Sequence, residues 1–353
     1  MNFNTEIKNI ISTIDKEYLK EIDVYFCNEN KKLWSEFCLE KNSIPLRYSL
    51  PWIEYQNTYL IDKEEFYADL SLIFKSRNKI ISIWPISIIR NKQNYFLSSQ
   101  NAELLPPLLR DNTNNEQESQ IHNIAFIYIK LLVDNYSIKK IKFIEDIDDQ
   151  SGITSWYKRF KEHNSKKKIK HYIFLNLNLN EKDIWKIIRK SYKNLINRAS
   201  KKYRVLSLFS DDQEIWQKFK KLHFNESGKL TRSEETWTKQ ISNIKIKKAI
   251  LFYILDKNSN MIGGAFFDLT NFEAFYSVAA YDKKMRKEPI SHFIIYSSIL
   301  KLKSLGLKKI NFGEYDFNKN KNLRDEKEYN IQKFKRGFSS DIETKLIFEN
   351  IIK

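Results

Sequence analysis

One short strand-like pattern occurs twice in this chain, and this repeat constrains the fold more than any other feature. Residues 138–143 and 307–312 share the core Lys-Lys-Ile-x-Phe. Apolar residues recur at helical spacing before each copy, over residues 121–136 and 290–305. Gly306 follows the second of these segments, at a position where glycine often ends a helix. The pattern therefore predicts a helix followed by a strand, twice.

A candidate hairpin precedes each predicted helix. Residues 70–74 and 79–86 flank one polar turn, and residues 249–255 and 261–269 flank another. Both pairs of flanks are rich in Ile, Phe and Tyr, which favours strands. We therefore predict two α/β units of one design. A chance match is the alternative, because the shared core is short and the sequence is rich in Lys and Ile.

The length of 353 residues suits two domains, each large enough for its own core. We predict an N-terminal domain over residues 1–165 and a C-terminal domain over 166–353, with the last residues able to pack back on the first domain. The lysine-rich stretch 158–170 is the expected linker. Most glycines lie in the second half, where backbone must bend sharply or approach a ligand, so we expect the chemistry there. These glycines are Gly228, Gly263, Gly264, Gly306, Gly313 and Gly337.

Composition limits the class of protein. A hydrophobic content of 42% and an aromatic content of 14% predict a packed globular chain. Cys27 and Cys38 have neither metal-ligand spacing nor the pattern of a disulfide framework, which fits a reducing compartment. The first residues lack the features of a secretion signal, and no apolar run approaches the roughly 18 residues that span a bilayer. A cytoplasmic protein without a transmembrane segment is expected.

The formal charge of +17 has two interpretations. A lysine-rich surface follows from biased composition, whereas attraction to a polyanion or to phosphate-bearing substrates is the functional alternative. Positive charge clusters in residues 166–170 and in the predicted helix over residues 186–202. Charge alone leaves both interpretations open.

Common catalytic motifs are absent from the sequence. It contains no nucleophile elbow, phosphate-binding loop, dinucleotide fingerprint or zinc-type histidine pair. The acidic residues between 145 and 149 could suggest a hard-cation site, but a solvated loop is the preferred interpretation, and no metal is expected. We expect the isolated histidines to be surface or satisfied core residues. These are His122, His163, His171 and His292.

Three segments carry sharper signals. Residues 189–202 form a predicted helix with cations on much of its surface. In residues 223–237 one helix is expected to end at Gly228 and another to begin with Ser233 as its cap. The loop between them exposes Lys229 and Arg232, whose guanidinium suits a carboxylate or phosphate. A plain helix–helix turn is the alternative.

The third segment, residues 333–338, reads Lys-Phe-Lys-Arg-Gly-Phe. Its two phenylalanines are expected to pack, which would present Lys335 and Arg336 to a cleft. Glu314 and Tyr315 follow the second repeat strand, and either could relay a proton, although a solvated loop is an equal alternative.

Together these segments resemble the Fem-type peptidyltransferases and, more closely, Fem-like relatives among envelope-polysaccharide enzymes. The resemblance covers about residues 187–348. It rests on Arg-x-Ser-Tyr-Lys-Asn-Leu-Ile-Asn from Arg189, on the 223–237 segment, and on Phe-Lys-x-Gly-Phe from Phe334. Over residues 1–160 the likeness is one of layout, supported by Tyr-Ser-Leu-Pro-Trp ending at Trp52.

The resemblance implies an α/β fold of tandem GNAT-type acyltransferase domains, each a mixed sheet flanked by helices. It implies an enzyme that transfers an acyl or aminoacyl group from acyl-CoA or aminoacyl-tRNA, with no bound cofactor. Lys335, with Phe334 beside it, would act at the reacting acyl group. Arg232 would grip an anionic group on the acceptor. The full set of expected substrate-binding residues is Arg232, Lys229, His223, Arg189, Tyr192 and Trp52.

The sequence also departs from the family. No convincing lysine comes just after Trp52, where peptidyltransferases hold a nucleotide-linked peptide, and there is no room for the coiled-coil arm of some members. The segment 286–289 lacks the glycine of an acyl-CoA pyrophosphate grip, which weakens acyl-CoA as the donor.

The expected function is therefore amide formation on an amine of a cell-envelope precursor. An amino-sugar or glycan-linked acceptor is favoured over a peptidoglycan peptide, and the acceptor is expected to be anionic and nucleotide- or lipid-linked. Transfer of an aminoacyl group from tRNA to a peptidoglycan precursor is the first alternative, with tRNA as a partner. Peripheral contact with the inner membrane face fits a lipid-linked acceptor. A non-catalytic RNA-binding protein is the second alternative.

Overall fold

A computed structural model describes residues 21–146, 154–160, 165–317 and 326–351. The chain divides into two compact units. Unit 1 contains Met1–Asn42, Arg47–Ile169 and Lys345–Lys353, and unit 2 contains Ser43–Leu46 and Lys170–Thr344. Each unit is therefore assembled from separate stretches of the chain.

Unit 1 packs helices and strands around one buried apolar cluster. Its helices are α1 (Lys31–Glu40), α2 (Leu50–Ile61), α3 (Asn115–Tyr136) and α4 (Ser155–Phe160). Its strands are β1 (Asp23–Phe26), β2 (Phe66–Asp69), β3 (Leu72–Ser76), β4 (Lys79–Trp84), β5 (Ser87–Asn91), β6 (Asn94–Ser98), β7 (Leu108–Leu109) and β8 (Lys140–Asp146). Two sheets have the orders β1-β3-β4-β7 and β2-β5-β6.

Unit 2 has helices on a larger mixed sheet. Its helices are α5 (Glu181–Ile187), α6 (Lys190–Ser200), α7 (Gln213–Ser227), α8 (Glu234–Lys245), α9 (Ile290–Ser304) and α10 (Glu326–Arg336). Its strands are β9 (Ser165–Asn176), β10 (Leu206–Leu208), β11 (Ala249–Leu255), β12 (Met261–Leu269), β13 (Glu273–Tyr281), β14 (Lys309–Glu314) and β15 (Asp341–Ile351). The order across the unit is β10-β11-β12-β13-β14-β9. From Lys345 onward β15 belongs to unit 1, where it pairs with β8.

The sheet of unit 2 separates two apolar clusters. One cluster contains Ile262, Ala265 and Phe267 of β12 and packs with α9. The other contains Met261 and Phe266 and packs with α7 and α8. Because alternate side chains of a strand point to opposite faces, one strand supplies both clusters. All nine residues of β12 are buried, as expected for a strand covered on both faces.

Both predicted hairpins are confirmed. β3 and β4 pair antiparallel around Arg77 and Asn78, whose φ angles of 46° and 65° place both in the left-handed region. Two consecutive left-handed residues form a turn whose twist matches that of paired strands. β11 and β12 pair antiparallel over the predicted residues.

Both predicted helix–strand pairs are also present. α3 begins at Asn115, earlier than expected, because the Asn114 side chain accepts a hydrogen bond from Gln117 N and caps the helix. Gly306 follows α9 with a φ of 85°, as its predicted role requires. Each repeat strand makes a parallel contact: Phe143 of β8 with Leu104, and Asn311 of β14 with Phe275.

The stretch expected as a linker contains the end of α4 and the start of β9, and the division between the units at Ile169 and Lys170 falls within it. Residues 161–164, including His163, lie outside the described residues.

One sequence-based interpretation was wrong. The acidic residues were expected in a solvated loop, but Glu145 and Asp146 lie in β8, and Glu145 is buried. The apolar residues before them continue the strand, and Asp146 pairs with Lys345 at 2.6 Å. Residues 147–149 lie outside the described part of the chain.

No helix within the described ranges is both long and apolar enough to cross a membrane.

Candidate active site

Unit 2 contains a cleft of about 770 Å3 beside the second half of β13. Helix α10 forms another wall, and Ser291 of α9 contributes to the lining. The lining residues are Tyr276, Ser277, Val278, Ala279, Tyr281, Ser291, Glu326, Lys327, Asn330, Ile331, Phe334 and Lys335. Two of the predicted catalytic residues, Lys335 and Phe334, therefore lie in one cleft.

The cleft opens where two strands of the sheet separate. β13 and β14 are parallel neighbours, but they pair over three positions, which end at Phe275 and Asn311. Within the described residues, no strand pairs with β13 on that side from Tyr276 to Tyr281. Backbone N–H and C=O groups that are buried need partners. This strand edge can therefore receive hydrogen bonds from an extended ligand that carries amide groups.

Lys335 approaches the point of separation from α10. Its Nζ lies 5.1 Å from the centre of the Tyr276 ring, and a β-carbon added at Gly313 would be 3.9 Å from the same atom. The surroundings remove the ammonium group from water, and this desolvation lowers the pKa of Lys335 to about 8. Among the ion pairs found in the described part of the chain, none involves Lys335.

The end of α10 is held by the start of α6. Arg189 N donates to Gly337 O at 2.9 Å, and its guanidinium donates to Lys333 O at 3.1 Å. The Tyr192 hydroxyl donates to Phe334 O at 3.4 Å. Arg189 and Tyr192, expected to bind substrate, thus contact the backbone of the helix that carries Lys335.

Gly337 allows this approach because it has no side chain. A β-carbon there would lie 2.2 Å from Tyr192 Cε2, too close for any real contact. His292 joins the same cluster, with its ring 4.5 Å from that of Tyr192 and 5.1 Å from that of Phe334. Burial, and then the charge of Arg189, lower the pKa of His292 to about 4. The expectation of a satisfied core histidine therefore holds for His292.

The Arg232 loop forms a second group of predicted residues. Gly228 ends α7 with a φ of 69°, and Ser233 Oγ accepts a hydrogen bond from Thr236 N at 3.2 Å, so both predicted helix ends are confirmed. Arg232 stacks on Trp237 at 5.1 Å, and its Nη1 is 3.4 Å from His223 Nε2. Burial, with Arg232 nearby, lowers the pKa of His223 to about 4, so its imidazole is neutral at pH 7.

The remaining predicted residues lie elsewhere. Lys229 is exposed in the loop after Gly228. Glu314 accepts hydrogen bonds from Lys170 Nζ at 2.8 Å and Tyr172 OH at 3.2 Å. The Tyr315 ring packs against Phe317 at 5.0 Å. Neither Glu314 nor Tyr315 is among the described residues that line the cleft. Trp52 belongs to unit 1, on α2, where its ring lies 5.9 Å from that of Tyr55.

Sequence reasoning missed three polar residues beside the predicted ones. Tyr276 and Ser277 line the cleft, and Asp268 is buried behind Ser277, whose hydroxyl donates to Asp268 Oδ2. One signal was available, because Asp268 is the only charged residue in an otherwise apolar predicted strand. No group of three His, Cys, Asp or Glu side chains in the described residues is arranged to hold a metal ion.

Comparisons with known proteins identify the fold. No protein-family model and no curated protein matches the chain. A solved structure of FemX shares its fold with a TM-score of 0.65 at 13% identity, covering 92% of this chain and 96% of that one. L-PGS from Bacillus licheniformis matches with a TM-score of 0.57 at 12% identity, covering 90% of both chains.

A third match is the C-terminal domain of a putative lysylphosphatidylglycerol synthetase from Agrobacterium fabrum. Its TM-score is 0.57 at 10% identity, with 91% of each chain covered. These matches confirm the predicted α/β fold class, with sheets flanked by helices, in the fold shared with FemX.

The contact between Gly337 and Tyr192 generates the first prediction. Gly337→Ala should destabilise the protein by about 1–3 kcal/mol, the usual cost of overpacking, because the new methyl group meets the Tyr192 ring. Urea unfolding measures the change. In the double variant Gly337→Ala/Tyr192→Leu, much of the penalty of the alanine should disappear, since the ring is gone. If the effects of the two single changes on the free energy of unfolding simply add in the double variant, this contact does not hold the end of α10.

Proposed function

We propose that this chain is an acyl or aminoacyl transferase that forms an amide on an amine of a cell-envelope precursor. One observation carries the proposal: an ammonium group, Lys335, is desolvated in a cleft beside an open strand edge. Burying an ammonium group costs folding free energy, and groups whose pKa is perturbed in a cleft are enriched at functional sites. The fold shared with FemX supports the same class of reaction.

The proposed chemistry follows from the positions of these groups. The donor lies along the free edge of β13, and its carbonyl oxygen points toward Lys335. The acceptor nitrogen attacks the carbonyl carbon, and the π electrons move to oxygen. Lys335 stabilises this oxyanion, an effect typically worth about 3–4 kcal/mol. The tetrahedral intermediate then collapses and breaks the carbon–sulfur bond of a thioester or the carbon–oxygen bond of an ester.

Two donors remain part of the proposal, acyl-CoA and aminoacyl-tRNA. Two cations of the basic segment 186–202, which contains the end of α5 and all of α6 rather than one helix, are engaged locally: Lys202 pairs with Glu288 at 2.9 Å, and Lys186 pairs with Asp183 at 2.8 Å. Lys190 and Lys201 are exposed and stay available to phosphate. A cytoplasmic location is also part of the proposal, because both donors are made there.

The acceptor is proposed to be anionic and nucleotide- or lipid-linked. Arg232 is the candidate grip, because stacking on Trp237 fixes the plane of its guanidinium for bidentate contact. Lys229 and His223 border the same loop. An amino-sugar or glycan-linked amine remains favoured over a peptidoglycan peptide, and a lipid-linked acceptor would bring the protein to the inner membrane face.

A purely RNA-binding protein is a weaker candidate. Such binding depends on exposed cations and falls steeply with salt, whereas Lys335 is half-buried in a cleft lined mainly by apolar and aromatic groups. Wild-type protein that binds RNA and yields no amide with either donor would favour that alternative.

The catalytic role of Lys335 is the second prediction. Lys335→Met keeps the packing of the stem and removes the charge, so single-turnover amide formation should slow about 10²–10³-fold. Lys335→Arg should recover part of the rate, because a planar guanidinium places its charge differently. Mass spectrometry of the amide product, with acetyl-CoA or charged tRNA as donor, gives the rate.

Lys308→Met is the matched control, because Lys308 is an exposed lysine of the same unit outside the cleft lining. It should transfer at the wild-type rate. If Lys335→Met turns over at the wild-type rate, the proposed mechanism is wrong.

The third prediction concerns pH. Because Lys335 acts as an ammonium and burial lowers its pKa to about 8, its contribution is present below that pH and is lost as pH rises through it. The amine acceptor becomes more reactive over the same range, because a larger fraction of it is deprotonated as pH rises. The informative quantity is therefore the wild-type rate divided by the Lys335→Arg rate. This ratio should fall above about pH 8, because arginine keeps its charge; a flat ratio contradicts the assignment.

The fourth prediction concerns Arg232. Arg232→Lys should raise the KM for the acceptor, because a point charge cannot reproduce bidentate geometry, and should leave the KM for the donor nearly unchanged. Initial rates with each substrate varied in turn separate the two constants. If the KM rises equally for both substrates, or rises for neither, the loop is a plain helix–helix turn and Arg232 does not bind the acceptor.

A further inference from the structure

Asp268 is a buried carboxyl group that the proposed mechanism does not yet use. It lies in β12 and is only 3% exposed. The Ser277 hydroxyl donates a hydrogen bond to Asp268 Oδ2, and Ser277 itself lines the cleft that contains Lys335. A single hydroxyl group therefore separates this carboxyl group from the space where the reaction is proposed to occur.

An irregularity in the sheet creates this connection. Phe266 pairs with Val278 and Phe267 pairs with Tyr276, so Ser277 is an extra residue on β13. Such a bulge redirects a side chain that regular pairing would place differently. Ser277 is only partly buried. Its hydroxyl can thus contact both Asp268 and a molecule in the cleft.

The charges around Asp268 suit proton transfer near neutral pH. Burial raises its pKa to about 7, while the Ser277 hydrogen bond and the charge of Arg232 act in the opposite direction. Arg232 faces Asp268 from the loop between α7 and α8, and Ser277 faces it from β13. His223 of α7 contacts Arg232 and is neutral at pH 7. A proton acceptor works best when its pKa lies near the working pH.

We propose that Asp268 receives the proton of the attacking amine through the Ser277 hydroxyl. This inference rests on the proposed transferase function. As the amine nitrogen bonds to the carbonyl carbon, its N–H proton passes to Ser277 Oγ, and the Ser277 hydroxyl proton passes to Asp268. When the bond to the leaving group breaks, the proton returns from Asp268 through Ser277 to the departing sulfur or oxygen. Charge and protons balance, and no further reactant is needed.

Lys335 and Asp268 then have opposite requirements. Asp268 must be ionised before the amine attacks, so activity rises through about pH 7, and Lys335 must keep its proton, so activity declines above about pH 8. Ser277 would touch the substrate, whereas Asp268 acts through Ser277. Its role is therefore tested by pH dependence as well as by rate.

The experiment compares wild type with Asp268→Asn in single-turnover transfer from about pH 5 to about pH 9. Asparagine keeps the size of the side chain and can still accept the Ser277 hydrogen bond, but it cannot take a proton. The rate should fall about 10²–10⁴-fold, the range for a lost general base. The ratio of wild-type to variant rate cancels the titration of the amine, and it should rise with pH through about 7.

Two controls separate this role from support of the fold. Asp211→Asn removes an exposed carboxylate of the same unit outside the cleft lining and should retain wild-type activity. Ser277→Ala breaks the relay with little change in volume and should also slow transfer, whereas Ser277→Thr keeps the hydroxyl and should restore part of the rate. Thermal unfolding of each variant identifies any loss of folding, and if Asp268→Asn fails to fold, Ser277→Ala decides the question.

The outcomes distinguish the two proposals. Suppose that the wild-type protein transfers the acyl group. The proton path is then overturned, and the transferase proposal stands, if Asp268→Asn has full activity and an unchanged pH profile, or if Ser277→Ala has full activity. A wild-type protein that transfers nothing from either donor overturns both. Slow variants whose ratio to wild type does not change with pH also overturn the path, since they show a structural role for Asp268.

Discussion

The short pairing between β13 and β14 is the constraint on which the candidate site depends. Three paired positions hold the strands together, and beyond Phe275 they separate. Had the pairing continued, the backbone of β13 would be satisfied by its neighbour and no cleft would exist beside Tyr276. The bulge at Ser277 belongs to the same stretch, and it brings a hydroxyl group to the opening. The sheet therefore creates both a place for a ligand and a polar group within it.

The candidate site also requires that Lys335 stay in this cleft although its ammonium group loses hydration there. Lys335 lies two residues before Gly337, in a stretch where Arg189 and Tyr192 hold the helix by its backbone. Backbone contacts fix the position of α10 without using the lysine side chain. The ammonium thus stays free to interact with whatever enters, and the aromatic cluster around His292 makes this end of the helix rigid.

Local features of the fold were predictable, and features that depend on contacts between distant residues were not. The hairpin at residues 249–269, helix α9 and the caps at Gly228 and Ser233 follow from patterns within a few residues. The sequence also placed Lys335 at a cleft, but Arg336, expected beside it, is not among the described lining residues and donates to Ser339 Oγ at 2.7 Å. It did not reveal that Glu314 would bind Lys170 across 144 positions, or that Arg189 and Tyr192 would hold α10. Asp268 was overlooked because its partner Ser277 is brought to it by a bulge, which leaves no mark on the periodicity.

The division of the chain between the units has a consequence for its synthesis. Lys345 of β15 pairs with Asp146 of β8, about 200 residues earlier in the chain. At ribosomal rates of 5–20 residues per second, β8 waits roughly 10–40 s for this neighbour, with an unpaired edge in the meantime. In unit 2 an early segment depends on a later one. Leu46 N donates to Glu273 Oε1, and this hydrogen bond cannot form until Glu273 has been synthesised. Each unit is completed only after most of the other has left the ribosome, so a nascent chain of this protein depends on protection of its strand edges during translation.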